Sequence, residues 1–205
     1  TARDGAHRDG RPHLDSEAPL IRALEGLRIL DLADRSAALG GRILADLGAE
    51  VVLLEGPSGN SIRHLAPFLD DEPGIERSFH HQYLSANKKS VRIENSGGLL
   101  ESEAFRSLVA SADLLIDCQR PGTRTGLDHA GLLEINPTLV QISVTPFGLS
   151  DELGRKANDL VAGAAGGLIW ISGEHRGVPV QGGANPSYCM AGLATASAAV
   201  IALHE

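Results

Sequence analysis

The chain has 205 residues, 42% of them hydrophobic and 21% charged, which suits one globular domain with a substantial core and leaves too little length for two. Its formal net charge of −8, from 26 acidic against 18 basic residues, argues against a broad nucleic-acid surface, though not against one local basic pocket for a phosphate. Two cysteines, Cys118 and Cys189, lie far apart without a metal or redox motif and fit a reduced, cytoplasmic setting, and apolar runs such as "LATASAAVIAL" fall short of the roughly 20 residues of a bilayer span.

Residues 1–19, rich in charge, Gly, Pro and His, read as a flexible leader or linker, with the folded domain over 20–205. "LRILDL" (27–32) is a buried strand, "ALGGRILADLG" (38–48) a helix stopping at Gly48, and "EVVLLE" (50–55) a second strand. "FHHQY" (79–83) falls on a helix and "KSVRIE" (89–94) alternates as a strand. "LLESEAFRSLVASA" (99–112) reads as one amphipathic helix, followed by strands "DLLIDC" (113–118) and "TLVQISVT" (138–145) with a helical piece around "AGLLEI" between them. The Ala- and Gly-rich stretches 158–173 and 187–205 read as buried helices that pack closely. This alternation predicts an α/β fold, a Rossmann-like doubly wound, mostly parallel sheet with helices on both faces. Ligands bind such sheets beyond the carboxyl ends of the strands.

Several features carry candidate chemistry. Glu55 ends the second strand, where an acid can bind a ribose, but the preceding turn "DLADRSAALGGR" lacks the G-x-G-x-x-G fingerprint. His80 and His81 are adjacent, which is poor metal-ligand spacing and suits a polar helix face with one half-buried His; no metal is expected. Arg120 and Arg124 flank a Pro-Gly turn after a strand, and Lys88 and Lys89 precede one; each pair is either a phosphate contact or ordinary surface charge. Asn185, Pro186 and Ser187 lead into the last helix, with Ser187 or Asn185 as N-cap. Tyr188 then lies in a first turn whose N–H groups and positive dipole end can lower an acid's pKa, while Cys189 reads as a small buried side chain.

Taken in order, "GLRILDL", "RILADLGAEVVLLE", "NKKSVRIE", "SADLLIDCQRPG", "INPTLVQISVTPFG", "NDLVAGAAGGLIWISGE", "PVQGG" and "AGLATASAAVIALHE" resemble the class III CoA-transferases, from about Gly26 to Glu205. That family includes formyl-CoA and carnitine CoA-transferases and α-methylacyl-CoA racemases. The resemblance implies a large Rossmann-like domain binding CoA or acyl-CoA as substrate, interlocked dimers, and a chain corresponding to the amino-terminal half. It further implies a homo-oligomer or a companion CoA-transferase half as partner.

In the transferases an aspartate attacks the acyl-CoA thioester, passing through a mixed anhydride and an aspartyl-CoA thioester. Counting from the family's flanking glycines, here Gly183 and Gly192, Tyr188 occupies that place. The racemase histidine is likewise replaced, by Asn158 before Asp159. A phenol of pKa near 10 is about one part in a thousand ionised at pH 7, so transfer by this chain alone lacks its usual nucleophile. The resemblance places CoA contacts at Arg35, Ser36 and Ala37, at Ile93 and Glu94, and at Cys118, Gln119 and Arg124. The first of these loops is one residue short and lacks the family's Gly-Pro, Cys118 and Gln119 replace an Asn-Phe pair, and the loop before Arg124 is about two residues short. Two readings follow. One is a CoA-binding, transferase-like protein with Tyr188 in place of the aspartate; the other is an inactive scaffold half beside an active one, in a fused or heteromeric protein.

Overall fold

The computed structural model describes residues 22–94, 98–119, 127–151, 154–174 and 177–204. The leader, Arg120 and Arg124 lie outside the described residues. Five parallel strands form one sheet: β1 (Arg28–Leu32), β2 (Glu50–Glu55), β3 (Lys89–Arg92), β4 (Leu114–Asp117) and β5 (Val140–Ser143), in the order β3-β2-β1-β4-β5. The expected doubly wound α/β fold is borne out.

Each central strand is apolar on both sides, so successive residues feed two different cores. Ile29, Val51, Leu114 and Ile116 pack with Leu44 of α1 (Ala38–Asp46) and with Ala196 and Ala199 of α6 (Pro186–His204). Leu30, Val52, Leu54 and Leu115 pack with Phe105 and Val109 of α3 (Glu103–Ala110) and Leu132 of α4 (His129–Ile135). The remaining helices are α2 (Phe79–Leu84) and α5 (Asp159–Ala165). α1 ends as expected, with Gly48 at φ 106°.

The helix expected over 99–112 is broken. A 3-10 turn at Leu99–Glu101 precedes α3, and the Ser102 hydroxyl between them accepts the Phe105 N–H at 3.4 Å. The helix expected over 158–173 stops at Ala165, followed by turns in which Gly167 takes φ 80°. The last helix is not buried all round. Gly192, Thr195, Ala196 and Ala199 form its covered face, whereas Met190, Leu193 and Ile201 are exposed. By length and composition alone its 19 residues are enough to cross a membrane, contrary to the sequence expectation, but here one face lies along α1.

That packing depends on missing side chains. A Cβ on Gly40 would lie 2.9 Å from Thr195 Cβ, and one on Gly192 would lie 2.7 Å from Leu39 Cβ. Real Cβ atoms do not approach so closely, so the glycines set how near the two helices come. Gly40 follows the loop after β1, and Gly192 is one turn beyond Tyr188. Their contact therefore holds the amino ends of α1 and α6 together at the carboxyl edge of the sheet.

Candidate functional site

At that edge, beyond β1, β4 and β5, lies a cleft of about 370 Å³. Asp34 and Ser36 line it from the loop after β1, Cys118 from the end of β4, and Thr145 from the end of β5. Lys156, Asn158 and Tyr188 complete its lining. β1 is the strand from which the chain winds outward in both directions, so the cleft sits at the switch point where doubly wound sheets bind ligands.

The loop after β1 is held by its own polar atoms. Asp31 Oδ1 accepts the Ala33 N–H at 2.9 Å, and Asp34 Oδ1 accepts both the Ser36 N–H at 2.8 Å and the Ser36 hydroxyl. The Ser36 hydroxyl also lies 3.5 Å from Cys118 Sγ, joining the loop to β4. Burial pushes the Cys118 thiol well above its ordinary pKa, and the Asp34 charge adds to the shift, so it is no nucleophile.

Tyr188 is positioned from α5. Its N–H donates to Asp159 Oδ1 at 3.0 Å, the Ser187 hydroxyl donates to the Asp159 carbonyl at 3.1 Å, and Gln181 donates to Asp159 Oδ2 at 2.8 Å. Pro186 opens the helix, so Ser187 lies inside it and is not its N-cap; Asp159 takes a first-turn N–H instead. Asn158 caps α5, accepting the Val161 N–H at 3.0 Å. The helix end does not lower the phenol. Burial pushes the Tyr188 pKa up, and the negative charge of Asp34 raises it further. Cys189, expected to be buried, is exposed.

Tyr188 also borders a second, more open cleft of about 340 Å³ with Arg35, Leu39 and His80. Ser36 and Cys118 thus meet Tyr188 on one side, and Arg35 meets it on the other. Ala37 and Ile93 are buried in the two cores and offer a ligand backbone atoms only. Glu94 is exposed, and the Gln119 N–H donates to Asp117 Oδ1 at 3.0 Å. His81 is buried on α2 while His80 is half-buried, and burial lowers the pKa of both. Among the described residues, no three of His, Cys, Asp and Glu gather as a metal site.

Two candidates are occupied elsewhere. Glu55 is held by Arg63 at 2.6 and 2.7 Å, by the Ser90 hydroxyl and by the Asn60 N–H, so it has no free oxygen for a ribose. Lys88 is neither a surface charge nor a phosphate contact: its ammonium meets Asp31 at 2.7 Å with both side chains at most 1% exposed. The loop that Asp34 opens and the strand end at Thr145 were expected near a ligand from sequence, although neither side chain was given a role; Lys156 and Asp159 reach the site only through folding of distant segments.

A sequence model of CoA-transferase family III matches residues 24–205. The chain is 34% identical over 181 residues to the succinyl-CoA:(R)-benzylsuccinate CoA-transferase subunit BbsE of Thauera aromatica, covering 86% of this chain and 43% of that protein. It is 34% identical over 195 residues to the succinyl-CoA:mesaconate CoA-transferase of Haloarcula marismortui, covering 89% and 48%. The crystal structure of a CAIB/BAIF family protein from Brucella suis superposes with a TM-score of 0.74 at 30% identity, covering 87% of this chain and 48% of that one. The chain spans about half the length of the curated relatives it matches.

Proposed function

The chain belongs to CoA-transferase family III, and on that premise we propose that it binds CoA or an acyl-CoA in the cleft beyond β1, β4 and β5 and serves as the amino-terminal half of a CoA-transferase. The observation that carries this reading is the meeting of Ser36, Cys118 and Tyr188 around one cleft, from three segments whose family resemblance pointed separately to CoA contact or chemistry. Tyr188 stands where the family's nucleophilic aspartate is expected. With its pKa raised, the phenol is neutral at pH 7 and does not substitute for a carboxylate.

On this reading the thioester lies near Tyr188, within the cleft that the loop after β1 and the end of β5 line with it. Ser36, Thr145, Lys156 and Asn158, the polar side chains that line the cleft with Tyr188, supply the polar contacts. A companion segment or chain completes the site: the chain covers less than half of the Thauera relative, which is itself described as a subunit.

Hydrogen–deuterium exchange with saturating CoA tests the location. Protection is expected over residues 33–38, 117–119, 144–146 and 186–191. Protection confined to the amino ends of the strands would overturn the assignment.

A further inference from the structure

Resting on that reading, we infer that Asp34 supplies the nucleophilic carboxylate that Tyr188 cannot, attacking the acyl-CoA thioester from the loop after β1, which lines the same cleft.

Asp34 is the carboxylate among the described residues that line the cleft. Its neighbours at the sheet edge are committed elsewhere. Asp31 is fully buried against Lys88, and Asp117 is fully buried and accepts from Gln141 and Ser143 at 2.9 and 2.7 Å. Both oxygens of Asp159 accept from Gln181 and from the Tyr188 N–H. Asp34 differs in being exposed, with Oδ1 fixed by the two Ser36 donors and Oδ2 without a hydrogen-bond partner among the described residues. One oxygen thus orients the group while the other is left to react. Its proximity to position 188 is registered by its charge acting on the phenol. The close contact of Gly40 with Thr195 and Gly192 brings the loop carrying Asp34 to the amino end of α6, so Asp34 and Tyr188 line one cleft and the loop can present the missing function.

The step balances without an added reagent. Asp34 Oδ2 bonds to the thioester carbonyl carbon and the C–S bond breaks, the electron pair leaving with the CoA thiolate. The thiolate attacks the aspartyl carbonyl of the mixed anhydride, expelling the donor acid as its carboxylate and leaving an Asp34–CoA thioester. An acceptor carboxylate attacks that carbonyl and releases CoA thiolate, which takes the acyl group from the new anhydride. Acyl-CoA leaves and the Asp34 carboxylate is restored.

The test is trapping. The purified protein is incubated with acetyl-CoA or succinyl-CoA, quenched with hydroxylamine, digested with trypsin and read by mass spectrometry. Asp34 lies in the peptide Ile29–Arg35, whereas Tyr188 lies in the peptide beginning at Gly177, so the two sites separate cleanly. A hydroxamate on Asp34, lost in Asp34→Asn, is the expected result. An adduct on Tyr188, on another residue, or on none overturns the inference. Calorimetry with CoA on the same preparation separates the two failures: binding without an Asp34 adduct removes this inference alone, whereas no binding removes the proposed function with it. The thermal unfolding midpoint of Asp34→Asn shows whether that variant is folded, and the adduct's position in the unsubstituted protein does not depend on it.

Discussion

The carboxylate of Asp159, at the start of α5, accepts the backbone N–H of Tyr188, 29 residues later, at 3.0 Å. One buried side chain thereby anchors the helix that carries the site, and its negative charge sits at the positive end of α6. Asp159→Ala leaves the Tyr188 N–H and the Gln181 amide without their acceptor. A loss of about 1–3 kcal/mol is expected in denaturant unfolding, with faster amide exchange at residues 186–191. An unchanged unfolding midpoint would show that the anchor carries no weight.

The buried pair of Lys88 and Asp31 joins the approach to β3 to the end of β1. Removing one partner strands a charge in the core, so Lys88→Met is expected to cost about 3–5 kcal/mol. Replacing both, as Asp31→Leu with Lys88→Met, recovers much of that. A double-mutant cycle in urea reads the coupling directly; a Lys88→Met variant as stable as the parent contradicts the assignment.

Glu55 governs part of the acid response. Burial pushes its carboxyl up, but the hydrogen bonds from Arg63, Ser90 and Asn60 together outweigh this and hold the pKa at about 2, against 4.5 unperturbed. A depressed folded-state pKa gives stability that is fully present above the unfolded value and is lost as pH falls through the folded one. The protein therefore loses on the order of 3 kcal/mol between roughly pH 5 and pH 2 from this group. Glu55→Gln, less stable at neutral pH, flattens that limb of the pH–stability curve. A limb of unchanged slope would assign the loss to other carboxylates.

The helix contact at Gly192 links stability to the site. A valine there drives its Cβ into Leu39 and forces α6 away from α1. Overpacking of this kind costs about 1–3 kcal/mol, and the displaced amino end carries Tyr188 with it. Gly192→Val is expected to lower both the unfolding midpoint and the affinity for CoA. Exposed Leu193, one position on, should accept Ala with little effect on either.

The central strands β1, β2 and β4 were legible because their residues are buried on both faces and form short apolar runs between turn signals, and β3 because its side chains alternate. Gly48 marked the end of α1 as plainly. Ser102 misled because the amphipathic period continues across it, and only the hydroxyl's role as a cap reveals the break. The reading of α6 as a buried helix failed for a different reason. Small residues pack one helix face tightly, but composition does not reveal that Met190, Leu193 and Ile201 have no covering partner among the described residues. At the site, the resemblance located the loops, yet the direction of the Tyr188 shift depends on burial and on the charge of Asp34, which lines the same cleft. The pairs Asp31–Lys88 and Asp159–Tyr188 span 57 and 29 residues and have no local signature.

The most direct test is a calorimetric titration of the folded protein with CoA and with acetyl-CoA, repeated on Ser36→Trp, whose indole fills the cleft. The account predicts saturable binding of both ligands and its loss in the variant. Failure of the unsubstituted protein to bind either ligand, or binding that Ser36→Trp leaves intact, would contradict it.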